Sequence, residues 1–258
     1  MQLLNIYRIS DFSNPTKVKP PYASKENCLR VFIREFGSEN LLIVGDGITE
    51  STHEMLKKYV PEENILLTDV GNTGAFLTSI DLAYRIALEH SSDDFIFYFI
   101  EDDYIHRRGA KQILLEAFSD LDADYVTLYD HPDKYQDMKD SRYITGQGVF
   151  DEEEDGVRKP RVLYKAGEHS KITISRSTHW RTVSSTTMTW ATTGKNLKED
   201  YEDLMKLHTG KELPMGISTF EMLRTKEKHL ISPIPSYSAH AEEKWLPYFI
   251  NWQIEAEV

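Results

Sequence analysis

Three consecutive carboxylates, Glu101, Asp102 and Asp103, follow a run of six apolar residues at 95–100. The apolar run is aromatic and β-branched, which predicts a strand that is buried on both faces. Ligands bind at the carboxyl ends of the strands in open α/β sheets, so the acidic cluster is expected at a binding site. Adjacent carboxylates repel one another and favour a bound cation, and oxygen ligands favour Mg²⁺ or Mn²⁺. A solvated acidic turn is the alternative.

The composition limits the kind of partner that the chain can have. A formal net charge of -12 over 258 residues argues against nucleic acid or an anionic membrane surface. No apolar run is long enough to span a bilayer and no signal peptide is recognised, so we expect a cytoplasmic protein without a transmembrane segment. The single cysteine, Cys28, excludes an internal disulfide and is expected in the core.

Strands and helices alternate over the first 130 residues. Strands are predicted at 3–9, 41–44, 64–67, 95–100 and 125–129, and helices at 26–36, 52–59, after Gly74 and at 109–118. This alternation predicts an α/β fold with a mainly parallel central sheet flanked by helices. Residues 14–22 hold three prolines and two lysines, Lys17 and Lys19, and are predicted to form a loop. The lysines could meet a phosphate there, although a solvated loop is favoured.

The pattern is less regular beyond residue 130. The acidic run at 151–155 is predicted to be a solvated loop, and 161–165 is predicted to pair with 170–175 as a hairpin. A helix is expected at 197–207, and Ser218 with Glu221 fits a capping box that starts another. Without a repeat or a low-complexity linker, residues 1–258 are expected to form one domain whose second half, 131–258, is elaborated.

Three stretches resemble, in order, the motifs of family-2-type glycosyltransferases. Residues 44–52 resemble their "DGSTDxT" turn, Asn72 and Gly74 with the following alanines resemble "NxGxxxAxNxA", and 99–103 resembles the "DxD" motif in its Glu-Asp-Asp form. The resemblance implies a GT-A-like (Rossmann-like) fold with a nucleotide-sugar-binding half, 1–130, and an acceptor-binding half, 131–258. The sequence departs from the pattern at Ile48 and Glu50. It also lacks the "QxxRW" signature, which argues against a processive membrane synthase.

The resemblance implies a metal-dependent glycosyltransferase. Such an enzyme moves a sugar from a UDP-, GDP- or dTDP-linked donor to a glycan or another hydroxyl acceptor, and inversion is the favoured stereochemistry. Asp103 is expected to bind Mn²⁺ or Mg²⁺, with His240 as a further ligand that would favour Mn²⁺. Asp102 would face the ribose or a metal-bound water. Asp46 would contact the ribose or base, unless it only forms an Asx turn beside Gly47.

Further candidates come from the strand ends and from the second half of the chain. Arg8 and Asp11 at the end of the first strand, with Asn72 and Gly74, are candidates for nucleotide binding. His179, Trp180 and Arg181 would offer an apolar platform and a phosphate contact, or else a packed tryptophan between polar neighbours. Glu221 is the candidate general base, with Asp200 and Glu199 in reserve, and each of the three has an ordinary helix-start role as its alternative.

Three other functions are compatible with the sequence. The first is a retaining glycosyltransferase, since the motif occurs in both classes. The second is a sugar-phosphate nucleotidyltransferase, a class whose first strand is usually followed by a glycine-rich loop with Arg or Lys; the loop after Ile9 has lysines and no glycine. The third is a non-catalytic carbohydrate-binding protein that stacks sugars on Trp180, Trp245 and Trp252.

Overall fold

The computed structural model describes residues 1–12, 17–90, 95–135, 149–154, 157–162, 171–183, 185–207, 223 and 225–258. The strands are β1 Gln2–Ser10, β2 Leu41–Asp46, β3 Ile65–Thr68, β4 Phe95–Glu101, β5 Tyr104–His106, β6 Tyr125–Val126, β7 Val149–Glu154, β8 Val157–Val162, β9 Ile172–Ile174, β10 His179–Val183, β11 Trp190–Thr193, β12 Leu230–Ile234 and β13 Ser238–His240. The helices are α1 Lys25–Phe36, α2 Glu50–Leu56, α3 Gly71–Glu89, α4 Ala110–Asp120, α5 Gly194–Leu207 and α6 Trp252–Glu255, and short 3₁₀ turns lie at Glu62–Asn64, Pro132–Lys134 and Glu243–Trp245.

The described residues build a nine-stranded sheet in the order β3-β2-β1-β4-β11-β6-β12-β10-β9. β10 and β11 run against the other seven strands, as their antiparallel registers with β12 and β4 require. The predicted α/β fold with a mainly parallel central sheet flanked by helices is therefore confirmed. β5 and β13 form a separate antiparallel pair, as do β7 and β8. Within the described ranges, no helix is long and apolar enough to cross a membrane.

The central strand β4 is buried on both faces, as its apolar sequence predicts. Ile96, Tyr98 and Ile100 belong to the cluster that also holds side chains of α1 and α4. Phe95 and Phe99 alternate with them into the opposite cluster, against side chains of α3 and α5. Successive side chains of a strand point to opposite faces, and burying a large apolar side chain contributes about 1.5–3 kcal/mol. This packing fixes the position at which β4 emerges from the sheet.

The carboxyl ends of three neighbouring strands coincide at one edge of the sheet. In the parallel registers, Ser10 of β1 stands beside Asp46 of β2, and Arg8 of β1 stands beside Glu101 of β4. The segment after β1 returns to this edge and enters α1, where Ser24 caps the helix by accepting from the N–H of Asn27 at 3.2 Å. The strand ends therefore present polar side chains to a common space.

Two predictions for the second half of the chain are wrong. The acidic run forms most of β7, and its partner is β8, whereas β9 pairs with β10; the hairpin predicted between 161–165 and 170–175 does not form. The β7–β8 register places Glu152 opposite Lys159 and Glu153 opposite Arg158. The local sequence of the acidic run does not specify a strand partner, so the pairing of β7 with β8 is not evident from it.

Candidate functional site

A cleft of about 640 Å³ lies at the carboxyl ends of β1, β2 and β4. Its walls combine side chains of both charges with the start of α3 and the segment that follows β1. Its described lining consists of the basic residues Arg8, Lys17, Lys19 and Lys25, the acidic residues Asp46, Glu101, Asp102 and Asp103, and Ile9, Ser10, Phe12, Gly71, Asn72 and Ala75. Basic and acidic residues are equal in number in this lining, so the cleft is close to electrically neutral.

Asp103 and His240, the two predicted metal ligands, lie side by side; Asp103 lines the cleft, and His240 packs next to it without being part of the lining. The Nε2 atom of His240 is 3.2 Å from Oδ2 of Asp103. Their proximity follows from the pairing of β5 with β13, in which His240 faces Tyr104, the residue after Asp103. The backbone N–H of Ala241 also donates to the carbonyl of Asp103 at 2.8 Å.

Lysines of the segment after β1 reach the same carboxylates. The Nζ atom of Lys19 is 3.2 Å from Oδ2 of Asp103, and that of Lys17 is 3.7 Å from the same oxygen. Lys17 also approaches Nε2 of His240 at 3.2 Å, whereas Lys25 pairs with Asp102 at 3.1 Å. The favoured prediction of a solvated loop around Lys17 and Lys19 is wrong. Prolines and lysines indicated a loop, but nothing in their local pattern indicated which way the ammonium groups point.

The local charges determine the protonation states at the bottom of the cleft. Burial alone would raise the pKa of Asp103, but the charge and hydrogen bond of His240, together with Lys19 and Lys17, hold that pKa well below its usual range. Burial and the negative charge of Asp103 raise the pKa of Asp102. Burial lowers the pKa of Lys19, but the charges of Asp103 and Asp102 outweigh it and raise that pKa overall. Asp103 is therefore ionised and Lys19 protonated at neutral pH.

Arg8 and Asn72, both predicted to bind nucleotide, meet on the floor of the cleft. Nη1 of Arg8 donates to Oδ1 of Asn72 at 3.0 Å, and Nη2 pairs with Oε1 of Glu101 at 3.2 Å. The other carboxylate oxygen of Glu101 accepts from the N–H of Met188 at 3.2 Å. Glu101 was missing from the predicted site residues, although its place at the head of the acidic triplet was a usable signal. It anchors Arg8 under the start of α3.

Asp46 lines the cleft and also binds the protein's own backbone. Its Oδ1 accepts from the N–H of Val70 at 2.7 Å and from the hydroxyl of Thr68 at 3.0 Å. These contacts tie the end of β2 to the turn between β3 and α3. The structure thus gives Asp46 a structural role across two strands and leaves its predicted contact with the nucleotide as a prediction.

Asp11 and Gly74 lie outside the lining of the cleft. The carboxylate of Asp11 accepts from the N–H of Thr49 at 2.6 Å and from the hydroxyl of Thr52 at 2.8 Å, so it binds the start of α2. A Cβ atom added at Gly74 would lie 2.7 Å from the Cβ of Val70, which is too close for two carbon atoms, so a larger residue would clash there. Both residues therefore have structural reasons for their identity.

His179, Trp180 and Arg181 are not brought to the cleft. They belong to β10, four strands from β4, which at the usual spacing corresponds to about 19 Å. Trp180 is completely buried and its indole N–H donates to Ser175 at 3.0 Å, so it offers no platform to a ligand. Arg181 pairs with the buried Asp130 at 2.5 Å. The packed-tryptophan interpretation is the one that these contacts support.

The candidate bases fall into two groups. Glu221 lies outside the described residues, so its role stays a prediction. Asp200 is 1% exposed and accepts from the hydroxyl of Tyr125 at 2.7 Å, and Lys226 and Lys228 lie 2.9 and 2.7 Å from its oxygens. Tyr125 begins β6, so Asp200 lies toward the end of the sheet opposite the cleft. These contacts leave Asp200 no access to an acceptor in the cleft.

The donor set fits a divalent cation whose coordination is completed by other molecules. Asp103 offers an oxygen and His240 a nitrogen, ligand types that suit Mn²⁺. In the part of the chain that the structure describes, no three His, Cys, Asp or Glu side chains are grouped to hold a metal ion. Cations that serve phosphate chemistry are commonly held by one or two carboxylates with phosphate oxygens and water. Asp103 and His240 meet that requirement.

No protein-family model matches the sequence, and no curated protein matches it. Among solved structures, the CMP:2-keto-3-deoxy-manno-octonic acid synthetase in complex with CTP is 10% identical, with 90% of this chain and 89% of that chain covered and a TM-score of 0.45. The 4-diphosphocytidyl-2C-methyl-D-erythritol synthase of Anaerococcus prevotii is 9% identical, with 98% and 94% covered and a TM-score of 0.46. Mouse xyloside xylosyltransferase 1 in its apo form is 8% identical, with 87% and 81% covered and a TM-score of 0.37. Similarities this distant assign no activity to the chain.

Proposed function

We propose that this protein is a metal-dependent glycosyltransferase that takes its sugar from a nucleotide-diphosphate donor. The observation that carries the proposal is the contact of His240 with Asp103, which follows the carboxyl end of β4 and lines a cleft together with Arg8, Lys17 and Lys19. A carboxylate, an imidazole and several cations in one cleft suit a ligand that combines a metal ion with phosphates. UDP-, GDP- and dTDP-linked sugars are the proposed donors, and a glycan or another hydroxyl compound is the proposed acceptor.

Different residues of the site would bind the metal ion and the phosphates. Asp103 and His240 would hold Mn²⁺ or Mg²⁺, which when bound supplies Lewis-acid stabilisation of the leaving diphosphate. The N–H of Ser10 at 3.1 Å and the ammonium group of Lys25 at 3.1 Å orient the carboxylate of Asp102, which would face the ribose or a metal-bound water. Charges in a sheltered cleft interact more strongly than in bulk water, so the basic side chains would stabilise the charge that develops on the leaving group.

The acceptor side of the reaction is proposed from the sequence alone. An inverting transfer needs a base that removes the proton from the acceptor hydroxyl, and Glu221 is the proposed group. The elaborated half of the chain, 131–258, is the proposed source of acceptor contacts.

A sugar-phosphate nucleotidyltransferase is the second candidate, and one observation favours it. Lys17 and Lys19 come from the segment after β1, Lys25 begins α1, and all three line the cleft; the nucleotidyltransferase class carries an Arg- or Lys-bearing loop after its first strand. That enzyme would consume a nucleoside triphosphate and release pyrophosphate. The two candidates therefore differ in substrate and product, although both need a diphosphate-binding cleft.

A carbohydrate-binding protein without catalysis receives no support from the packing. Trp180, Trp245 and Trp252, the proposed stacking residues, are each at most 5% exposed. The indole N–H of Trp252 donates to the carbonyl of Pro247 at 3.0 Å. Buried indoles cannot stack on a sugar.

A thermal-shift panel tests the proposed function. The protein is heated with UDP-, GDP- or dTDP-sugars, with CTP, or with free oligosaccharides, each with and without Mn²⁺. A ligand that binds only the folded state raises the melting temperature. We expect a shift that needs both a nucleotide sugar and Mn²⁺ and that is lost in Asp103→Asn. A shift with CTP alone among the nucleotides would support the second candidate, and a shift with free oligosaccharide alone would contradict both.

A further inference from the structure

We propose that Lys17, Lys19 and Lys25 form the diphosphate-binding site of the cleft, and that Lys17 and Lys19 block the metal ligands until a diphosphate draws them away. The proposal rests on the proposed function, since it concerns the same cleft. It assigns a role to two residues of the segment after β1 and to the first residue of α1, and it predicts that metal and diphosphate bind cooperatively.

Lys17 and Lys19 contact the same oxygen of Asp103 that would bind a metal ion. Its Oδ2 atom faces Nζ of Lys19 at 3.2 Å, Nζ of Lys17 at 3.7 Å and Nε2 of His240 at 3.2 Å. Lys17 also lies 3.2 Å from Nε2 of His240, the other atom that would bind a metal ion. Because ammonium groups and a divalent cation repel one another, both lysines must move before a metal ion can take these two atoms.

The number of protein ligands makes the metal dependent on the phosphates. Only Asp103 and His240 are placed to bind it among the described residues, so phosphate oxygens and water must supply the remaining positions. A cation that arrives alone meets two ligands already paired with lysines. A cation that arrives with a diphosphate brings further ligands and an anion that attracts those lysines.

The charge balance of the cleft leads to the same conclusion. Arg8, Lys17, Lys19 and Lys25 are matched by as many carboxylates in the lining. A divalent cation and a diphosphate have charges of opposite sign and similar size, so together they preserve the balance. Either one alone leaves partly buried charges without partners, which is costly.

Backbone hydrogen bonds hold the chain between the three lysines. The carbonyl of Val18 accepts from the N–H of Glu243 at 3.0 Å, and the N–H of Ala23 donates to the carbonyl of Pro20 at 2.9 Å. The lysine side chains are 24–34% exposed, so they can change partners without exposing a core. The exchange therefore needs movement of side chains rather than of the backbone.

Calorimetry with Mn²⁺ and inorganic pyrophosphate tests the proposal without any turnover. The variants are Lys17→Met, Lys19→Met and Lys25→Met, and Lys58→Met, which removes the same charge from an exposed position on another surface, is the control. In the wild type, Mn²⁺ is expected to bind about tenfold more tightly with saturating pyrophosphate than without it. The loss of one charge-assisted hydrogen bond corresponds to about tenfold in a dissociation constant, so each of the three cleft variants is expected to bind Mn²⁺-pyrophosphate about tenfold more weakly.

The decisive result is the affinity for Mn²⁺ without pyrophosphate. Lys17→Met and Lys19→Met should bind Mn²⁺ more tightly than the wild type, because each removes an ammonium group beside the metal ligands. Lys25 pairs with Asp102 and not with Asp103, so Lys25→Met should bind Mn²⁺ as the wild type and the control Lys58→Met do. Unchanged or weaker Mn²⁺ binding by both Lys17→Met and Lys19→Met would overturn the proposal, as would unchanged pyrophosphate binding by all three. The proposed function fails separately, if the wild type couples Mn²⁺ to pyrophosphate but shows no response to any nucleotide sugar.

Discussion

The imidazole of His240 and the carboxylate of Asp103 face each other at 3.2 Å, although the two residues are 137 positions apart in the chain. The antiparallel pairing of β5 with β13 creates this contact just beyond the carboxyl end of β4, whose apolar residues 95–100 are all buried. Both residues are 8% exposed, and both are also approached by Lys17.

Asp103→Asn should remove metal-dependent nucleotide binding while the protein stays folded. The substitution keeps the shape of the side chain and removes the negative charge that a cation requires. The measurement is the Mn²⁺-dependent rise in melting temperature with a nucleotide sugar, and Glu89→Gln, which removes one exposed charge at the end of α3, is the control. A full Mn²⁺-dependent shift in Asp103→Asn would remove Asp103 from the metal site.

The resemblance predicted the Asp103–His240 pair because both residues carry recognisable chemistry. The acidic triplet ends a strand that is apolar on both faces, and a late histidine is a frequent partner in GT-A enzymes. The sequence alone did not indicate that Lys17 and Lys19 reach the same atoms. Their ion pairs form across the cleft between segments distant in sequence, and a loop rich in proline and lysine has the same composition whether or not it faces solvent.

Asp46→Asn and Asp46→Ala should separate the two roles of that residue. The alanine variant loses the hydrogen bonds from Val70 and Thr68, which should lower the free energy of unfolding by about 1–3 kcal/mol. The asparagine variant keeps an acceptor for both donors, so its stability should stay close to that of the wild type. If Asp46 binds the ribose or base, the dissociation constant of the nucleotide sugar should rise about tenfold in both variants. Unchanged binding in Asp46→Asn would leave only the structural role.

His106 should make the protein less stable in mild acid. It is completely buried with Nε2 2.8 Å from the hydroxyl of Tyr98, and burial, followed by the charge of Arg34, lowers its pKa to about 3. The unfolded chain binds this proton below about pH 6.5 and the folded chain does not. The stabilising contribution is therefore complete above about pH 6.5 and is lost progressively as the pH falls toward 3, at about 1.4 kcal/mol per pH unit.

Urea unfolding between pH 4 and 7.5 measures this effect. His106→Gln should flatten the pH dependence of the free energy of unfolding by about that slope, whereas His179→Gln, at an exposed position, should not. Parallel curves for the wild type and His106→Gln would show that His106 does not control the acid limit.

Glu221→Gln should slow sugar transfer about 10²–10⁴-fold and leave nucleotide-sugar binding intact, because a base acts on the acceptor. Glutamine also serves at the third position of a capping box, so melting temperatures should agree closely. The measurement is the initial rate of transfer at saturating donor. A rate within a few-fold of the wild type would reduce Glu221 to a helix cap and favour a retaining mechanism.

The sequence is least informative about polar-flanked residues whose side chains pack in the core. Trp180 stands between a histidine and an arginine, a context shared by sugar sites and by buried strands with polar neighbours. Its complete burial depends on the pairing of β10 with β9 and β12, which no local pattern specifies. The regular βαβ half was predictable because its apolar periodicity and its turns agree with each other.

The phosphorus-containing product of the reaction distinguishes the proposed glycosyltransferase from a nucleotidyltransferase. The protein is incubated with Mn²⁺ and UDP-, GDP- or dTDP-sugars in one series, and with CTP and sugar phosphates in another, and the products are identified by ³¹P NMR. If the protein is a metal-dependent glycosyltransferase, we expect a nucleoside diphosphate to be released in the first series. Its release should require Mn²⁺ and should be abolished in Asp103→Asn. Release of pyrophosphate in the second series, with no nucleoside diphosphate in the first, would contradict the proposed function.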